Sequence, residues 1–138
     1  MARPALYVII CVLLTILPSI SFAAPDMQPG RWEITSTLEM PGIAFNMPAS
    51  KHTQCITTEE LVPQAQQENS KCQVVDQSID GNVVTWQVRC ESGGGTMDSQ
   101  GKITYHGASF EGTVVTEGSQ MPSEMIQKMT GKRIGQCN

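Results

Sequence analysis

The chain is 138 residues long, which at roughly 100–200 residues per domain is one domain. Nine basic against thirteen acidic residues give a net charge of −4, the wrong sign for a face that replaces phosphate counterions, and this argues against a nucleic-acid partner. The overall polarity argues against a multi-span membrane protein, and two histidines leave little for a His-based metal or acid–base site.

Residues 1–23 read as an export signal. Arg3 gives a short positive start, and an apolar run extends from Ala5 through Leu17, broken only by Thr15. That run is too short for a spanning helix, which needs ~20 residues. Ser21-Phe22-Ala23 puts small residues at the two positions a signal peptidase reads, so cleavage is expected before Ala24. Cys11 lies inside the apolar run behind bulky Ile9 and Ile10, which does not fit a lipoprotein. The reading implies a periplasmic or secreted protein with no transmembrane segment after cleavage. The mature domain is 24–138, with its charge at −5 once Arg3 is lost. It keeps Cys55, Cys72, Cys90 and Cys137, an even number, and small exported domains need disulfides because their cores are thin.

The first predicted strand is Trp32 to Met40. Trp32, Ile34, Leu38 and Met40 share one face, and Arg31, Glu33, Thr35, Thr37 and Glu39 the other, with turns at Pro29-Gly30 and Pro41-Gly42. Thr57 and Glu60 stand in capping-box spacing, which predicts a short helix near 58–62, limited by Pro63. Gln64 to Ser70 reads as a solvated loop.

A hairpin follows over Val74 to Cys90. An Asp80-Gly81 turn would set Val75 against Trp86, Gln77 against Val84 and Gln73 against Val88. Val75, Val84, Trp86 and Val88 then share one face, and a bulge would shift the pairing by one. In a second hairpin, Gly107-Ala108 suits a type II′ turn and sets Tyr105 against Phe110, Ile103 against Gly112 and Gly101 against Val114. The two inner glycines mark a bend or leave room for a large neighbour such as a tryptophan. The segment from Pro122 to Thr130 is open to either helix or strand.

In the first hairpin's register Cys72 lies opposite Arg89, so Cys72 and Cys90 point to opposite faces and do not bridge. Of the two remaining connectivities, Cys55–Cys72 with Cys90–Cys137 is favoured, because it closes the 57–70 excursion and ties down the C-terminus.

Several strings then converge in order: Pro29-Gly30-Arg31-Trp32-Glu33, Met40-Pro41-Gly42, Thr85-Trp86, Gly101-Lys102-Ile103-Thr104-Tyr105, Phe110-Glu111-Gly112-Thr113 and Gly131-Lys132-Arg133-Ile134-Gly135. Together they resemble the bacterial domain-of-unknown-function family 3617 over nearly the whole mature chain. The resemblance implies an exported proteobacterial protein and assigns neither an activity nor site residues.

Seven methionines survive cleavage, and Met121, Met125 and Met129 recur every four residues, which puts them on one face of a helix or a strand alike. Thioethers are soft ligands that suit Cu(I), with His52 or His106 as a nitrogen donor, and they equally fill irregular cores. Trp32, Trp86, Tyr105 and Phe110 are candidate walls of an apolar pocket inside a curved sheet. No catalytic constellation stands out: His106 near Ser109 lacks an orienting acid, and Gly93-Gly94-Gly95 lacks the Lys-Ser/Thr and helix of a phosphate loop.

The sequence thus predicts an all-β domain with minor α. It is a single antiparallel β-meander curling into a half-barrel or small barrel, with one short helix and two disulfides. A non-catalytic role is expected, binding a small apolar ligand or an envelope protein with no cofactor. Cu(I) binding through the methionine stripe and a structural envelope accessory are the alternatives.

Overall fold

The computed structural model describes residues 24–42, 44, 47–62 and 71–137. The expected leader, 1–23, and the loop from Gln64 to Ser70 lie outside the described residues. The architecture is all-β: β1 (Gly30–Glu39), β2 (Ser50–Ile56), β3 (Lys71–Asp80), β4 (Val83–Ser92), β5 (Gly95–His106), β6 (Ser109–Gly118) and β7 (Met125–Gly135). They form one antiparallel sheet in the order β2-β1-β7-β6-β5-β4-β3. Strands β3 to β7 are the expected meander. The hairpin β1–β2 joins it through β1 against β7, so the link from β2 to β3 runs from one sheet edge to the other.

The sheet is strongly curled. β1 and β5 are three places apart, about 14 Å at the usual strand spacing, yet the rings of Trp32 and Tyr105 lie 6.1 Å apart. Trp32 also meets Phe110 at 5.5 Å, two strands away. Only a face bent toward itself brings these side chains together. Among the described residues β2 and β3 do not pair with each other, so the curl stops short of a closed barrel.

Alternation decides which side faces inward. Trp32, Ile34, Val84, Ile103 and Tyr105 are buried, and Phe110 and Trp86 nearly so. The intervening positions carry charges that pair across strands, Arg89 with Asp98 at 2.8 Å and Lys128 with Glu39 at 2.9 Å. The second hairpin has the register its turn predicts: Tyr105 faces Phe110, Ile103 faces Gly112 and Gly101 faces Val114. Gly107 takes a φ of 65°, which a side chain would resist. A Cβ at Gly101 would collide with the indole of Trp86, and one at Gly131 with the ring of Phe110. The glycines are therefore the seats of the large aromatics.

The first hairpin corrects the sequence reading twice. Its turn is Gly81-Asn82, with Asp80 opposite Val83 and Gly81 at a φ of 56°. Asn82 is held in place by non-local bonds: its carbonyl accepts from the Tyr105 N–H at 2.9 Å and its side-chain oxygen from the Asp26 N–H at 2.9 Å. Between Val74 and Asp76 the register then shifts, and Val75 bulges out half-exposed instead of facing Trp86. One extra residue flips every later side chain to the other face. Cys72 consequently lies opposite Cys90, Cα to Cα 4.0 Å, and the two are bonded. The second disulfide joins Cys55 of β2 to Cys137 beyond β7, with Cα atoms 5.7 Å apart. The expected pairing of Cys55 with Cys72 and Cys90 with Cys137 is therefore wrong, and the bulge is why.

Two further expectations resolve here. Met125–Gly135 is a strand. No helix forms over 58–62: the Glu60 N–H bonds the Thr57 hydroxyl and carbonyl at 3.3 and 3.2 Å, as a cap would, but the chain then leaves the turn. Leu61 and Val62 are buried in the core instead, and burying both against the sheet outweighs one more helical turn.

Gly101→Val should destabilise the fold by about 2 kcal/mol or more in urea unfolding, because the indole has nowhere to go. Gly93→Ala, where a Cβ meets nothing, should stay within about 0.5 kcal/mol. Peptide mapping without reduction should recover the cross-links Cys72–Cys90 and Cys55–Cys137. Removing the second pair, which closes a separation of 82 residues, should cost about 4 kcal/mol.

Candidate functional site

The inner face divides into two parts. At one end Trp32, Tyr105 and Phe110 pack edge-on and tilted, with centroids 5.5–6.1 Å apart. Ile34, Ile56, Val84, Ile103, Met27 and Met129 complete the cluster. The segment after β2 crosses this end. Leu61 and Val62 belong to the same cluster, and the Tyr105 hydroxyl donates to the Leu61 carbonyl at 2.6 Å. Burial pushes the phenol of Tyr105 well above its ordinary pKa of 10.0. The N-terminal segment closes the same end: the Gly107 N–H bonds the Asp26 carbonyl at 2.8 Å, and the Gln28 N–H bonds the Gly107 carbonyl at 3.1 Å.

All four expected pocket walls, Trp32, Trp86, Tyr105 and Phe110, face inward and sit in this cluster. The structure brings them together as a filled core. Trp86 and Phe110 also floor two shallow grooves on the outer face, of about 530 and 380 Å³. The larger one is rimmed by Asp76, Asp98, Glu117, Lys102 and Gln100, with Trp86 and Val115 adding apolar surface.

The other end of the inner face is different. Leu38 (β1), Val88 (β4), Met97 (β5), Val114 (β6) and Met125 (β7), with Met40 and Met121 in flanking segments, are all only partly buried. Met97 lies opposite Gly118, and Met125 opposite Thr116. At Gly118 the sulfur of Met121 and the Cγ of Met97 both come within 3.2 Å of where a Cβ would stand, so the two thioether chains lie side by side. Polar groups interrupt this surface: the half-buried Gln127 side chain stands between Leu38 and Val114, and hydroxyls flank it. The Ser99 and Thr116 hydroxyls bond each other at 2.9 Å, while the Ser36 hydroxyl, facing Met129 at the border between the two ends, is buried without a partner. The indole N–H of Trp32 is likewise buried and unpartnered.

The expected stripe of Met121, Met125 and Met129 does not stay together. Met129 is buried opposite Gly112 in the aromatic end, and Met121 precedes the strand. Met97, which the spacing argument missed, lies beside Met121 at Gly118. The signal for Met97 was present: extending the Tyr105–Phe110 register eight residues puts it opposite Gly118. His106 closes the far end of β5, nine residues from Met97 and about 30 Å along the strand, out of reach of the Met97–Met121 pair. His52 is exposed on the edge strand β2, opposite Ile34.

Among the described residues no helix is long and apolar enough to cross a membrane. No curated protein and no solved structure matches the chain. The model of one family, "Protein of unknown function (DUF3617)", matches residues 27–137, which takes in the strands, the aromatic core and the four disulfide-bonded cysteines, and the chain belongs to that family.

Proposed function

We propose that the protein is an exported, non-catalytic binding module that holds an apolar molecule against the methionine-lined end of its inner face. The observation that carries this reading is the contrast between the two ends. One is packed and covered by Leu61 and Val62; the other, beyond Val88 and Val114 at the border of the core, leaves Leu38, Met40, Met97, Met121 and Met125 half-buried. Partly exposed apolar side chains gathered on one face, here around the amide of Gln127, mark binding sites. Methionine suits it, because an unbranched, polarizable chain repacks around guests of different shape. The signal-like leader and the disulfides support a location outside the cytoplasm.

The neighbouring thioethers of Met97 and Met121 favour Cu(I) as the second reading, since soft sulfur ligands select it. Two kinds of substitution separate the readings. Met125→Lys puts a charge on the apolar surface and should weaken binding of a naphthylamine fluorescent probe by about tenfold or more. Met97→Leu with Met121→Leu keeps that surface apolar and should leave probe binding within about twofold, whereas a Cu(I) site would lose most of its affinity. Probe binding that ignores Met125→Lys overturns the apolar reading. A Cu(I) affinity unchanged in the double leucine variant overturns the metal reading.

A further inference from the structure

We infer that strand β3 is a self-association edge, on which a second copy of this chain adds its own β3 antiparallel and continues the sheet through a two-fold axis. Strand β3 is the last in the sheet, and none of the described strands pairs with its outer side. All ten of its residues are exposed, and Val74 and Val75, each 48% exposed, and Ile79 at 45% are three of the large apolar side chains left on the surface. An exposed ten-residue edge of this composition is a template for another strand.

The occupant is argued from the sequence of the edge itself. Cys72 and Val74 face inward opposite Cys90 and Val88, and Gln77 and Ile79 face inward opposite Trp86 and Val84. Both sets share a face only because Val75 bulges between them. In the register that sets Lys71 against Asp80 of the second copy, Cys72 meets Ile79, Val74 meets Gln77 and Gln73 meets Ser78. Every inner residue then meets an inner one and every outer residue an outer one, with the two bulges side by side at the axis. A strand without the bulge, paired with itself, would put residues of opposite faces across from each other in this register. The two-fold repeats the Lys71–Asp80 pair at both ends, and opposite charges directly across a ladder favour that register. An interface of this kind is isologous and closes at two copies. The other edge, β2, has seven residues, and a heterologous β2–β3 contact would build rings or filaments and not stop at two copies.

The test is sedimentation equilibrium of the exported, fully oxidised protein over a wide concentration range, at low and at high salt. A monomer–dimer equilibrium that weakens with salt is expected, and Lys71→Asp or Asp80→Lys alone should weaken it by about tenfold. Both substitutions in one chain swap the charges and should restore the dimer. Circular dichroism of each variant checks that the exposed substitutions leave the fold intact. A monomer at every concentration, growth beyond the dimer, or a dimer indifferent to the single charge reversals would each overturn the proposal.

Discussion

The structure depends on one hydrogen bond and the packing around it: the Tyr105 phenol donating to the carbonyl of Leu61 at 2.6 Å. An open sheet with an apolar face must cover that face with something. Here the connection from β2 to β3 must travel from one edge to the other, and its described residues Leu61 and Val62 pack into the core on the concave side. A crossing backbone brings polar groups into an apolar interior, and an unpaired carbonyl there costs about as much as a lost hydrogen bond. Tyr105 answers that carbonyl while its ring packs on Trp32 and Phe110. The same residue thus anchors the strap and builds the core beneath it.

Both disulfides sit where the sheet is weakest. The edge strands β2 and β3 each have one neighbour, and each carries one cysteine of a cross-link, Cys55 to Cys137 and Cys72 to Cys90. Loop-closure entropy makes both bonds worth several kcal/mol, a large share of a small domain's stability. The methionine-lined end lies between these stapled edges, on strands that are paired on both sides. A surface of adaptable side chains on a rigid frame suits recognition of a guest by shape and apolarity.

Local chemistry and long-range contacts were not equally legible in the sequence. The β5–β6 hairpin was readable to the residue because the Gly107-Ala108 turn and the Tyr105–Phe110 pair require the same register. The β3–β4 hairpin was not. Asp80-Gly81 and Gly81-Asn82 are both plausible turns, and what decides between them is Asn82 bonding to Tyr105 and Asp26, contacts remote in sequence. The bulge at Val75 was equally hidden, since an exposed edge strand has no buried pattern to pin it, and the cysteine pairing failed with it. The same limit applied to 57–62. The Thr57 cap was visible, but the burial of Leu61 and Val62 depends on a face assembled from five other strands. At the candidate site, the inward direction of Trp32, Trp86, Tyr105 and Phe110 was correct. That they fill the core instead of lining a pocket follows from the strap, which no alternation pattern announces.

The strap over a filled core can be tested at a single atom. The sequence has two tyrosines, Tyr7 and Tyr105, so in a chain prepared from Ala24 onward the ionisation of Tyr105 can be followed alone by phenolate absorbance. With its hydroxyl buried and donated to Leu61, the native protein retains a proton that the unfolded chain releases near pH 10.0, the ordinary value for the group. Stability is therefore complete below that pH and falls as the pH rises above it. A covered Tyr105 gives no phenolate signal in the native protein through the ordinary range, and then ionisation together with unfolding at higher pH. Reversible ionisation near the ordinary value, with the fold intact, would show that Tyr105 is not covered and would contradict the account.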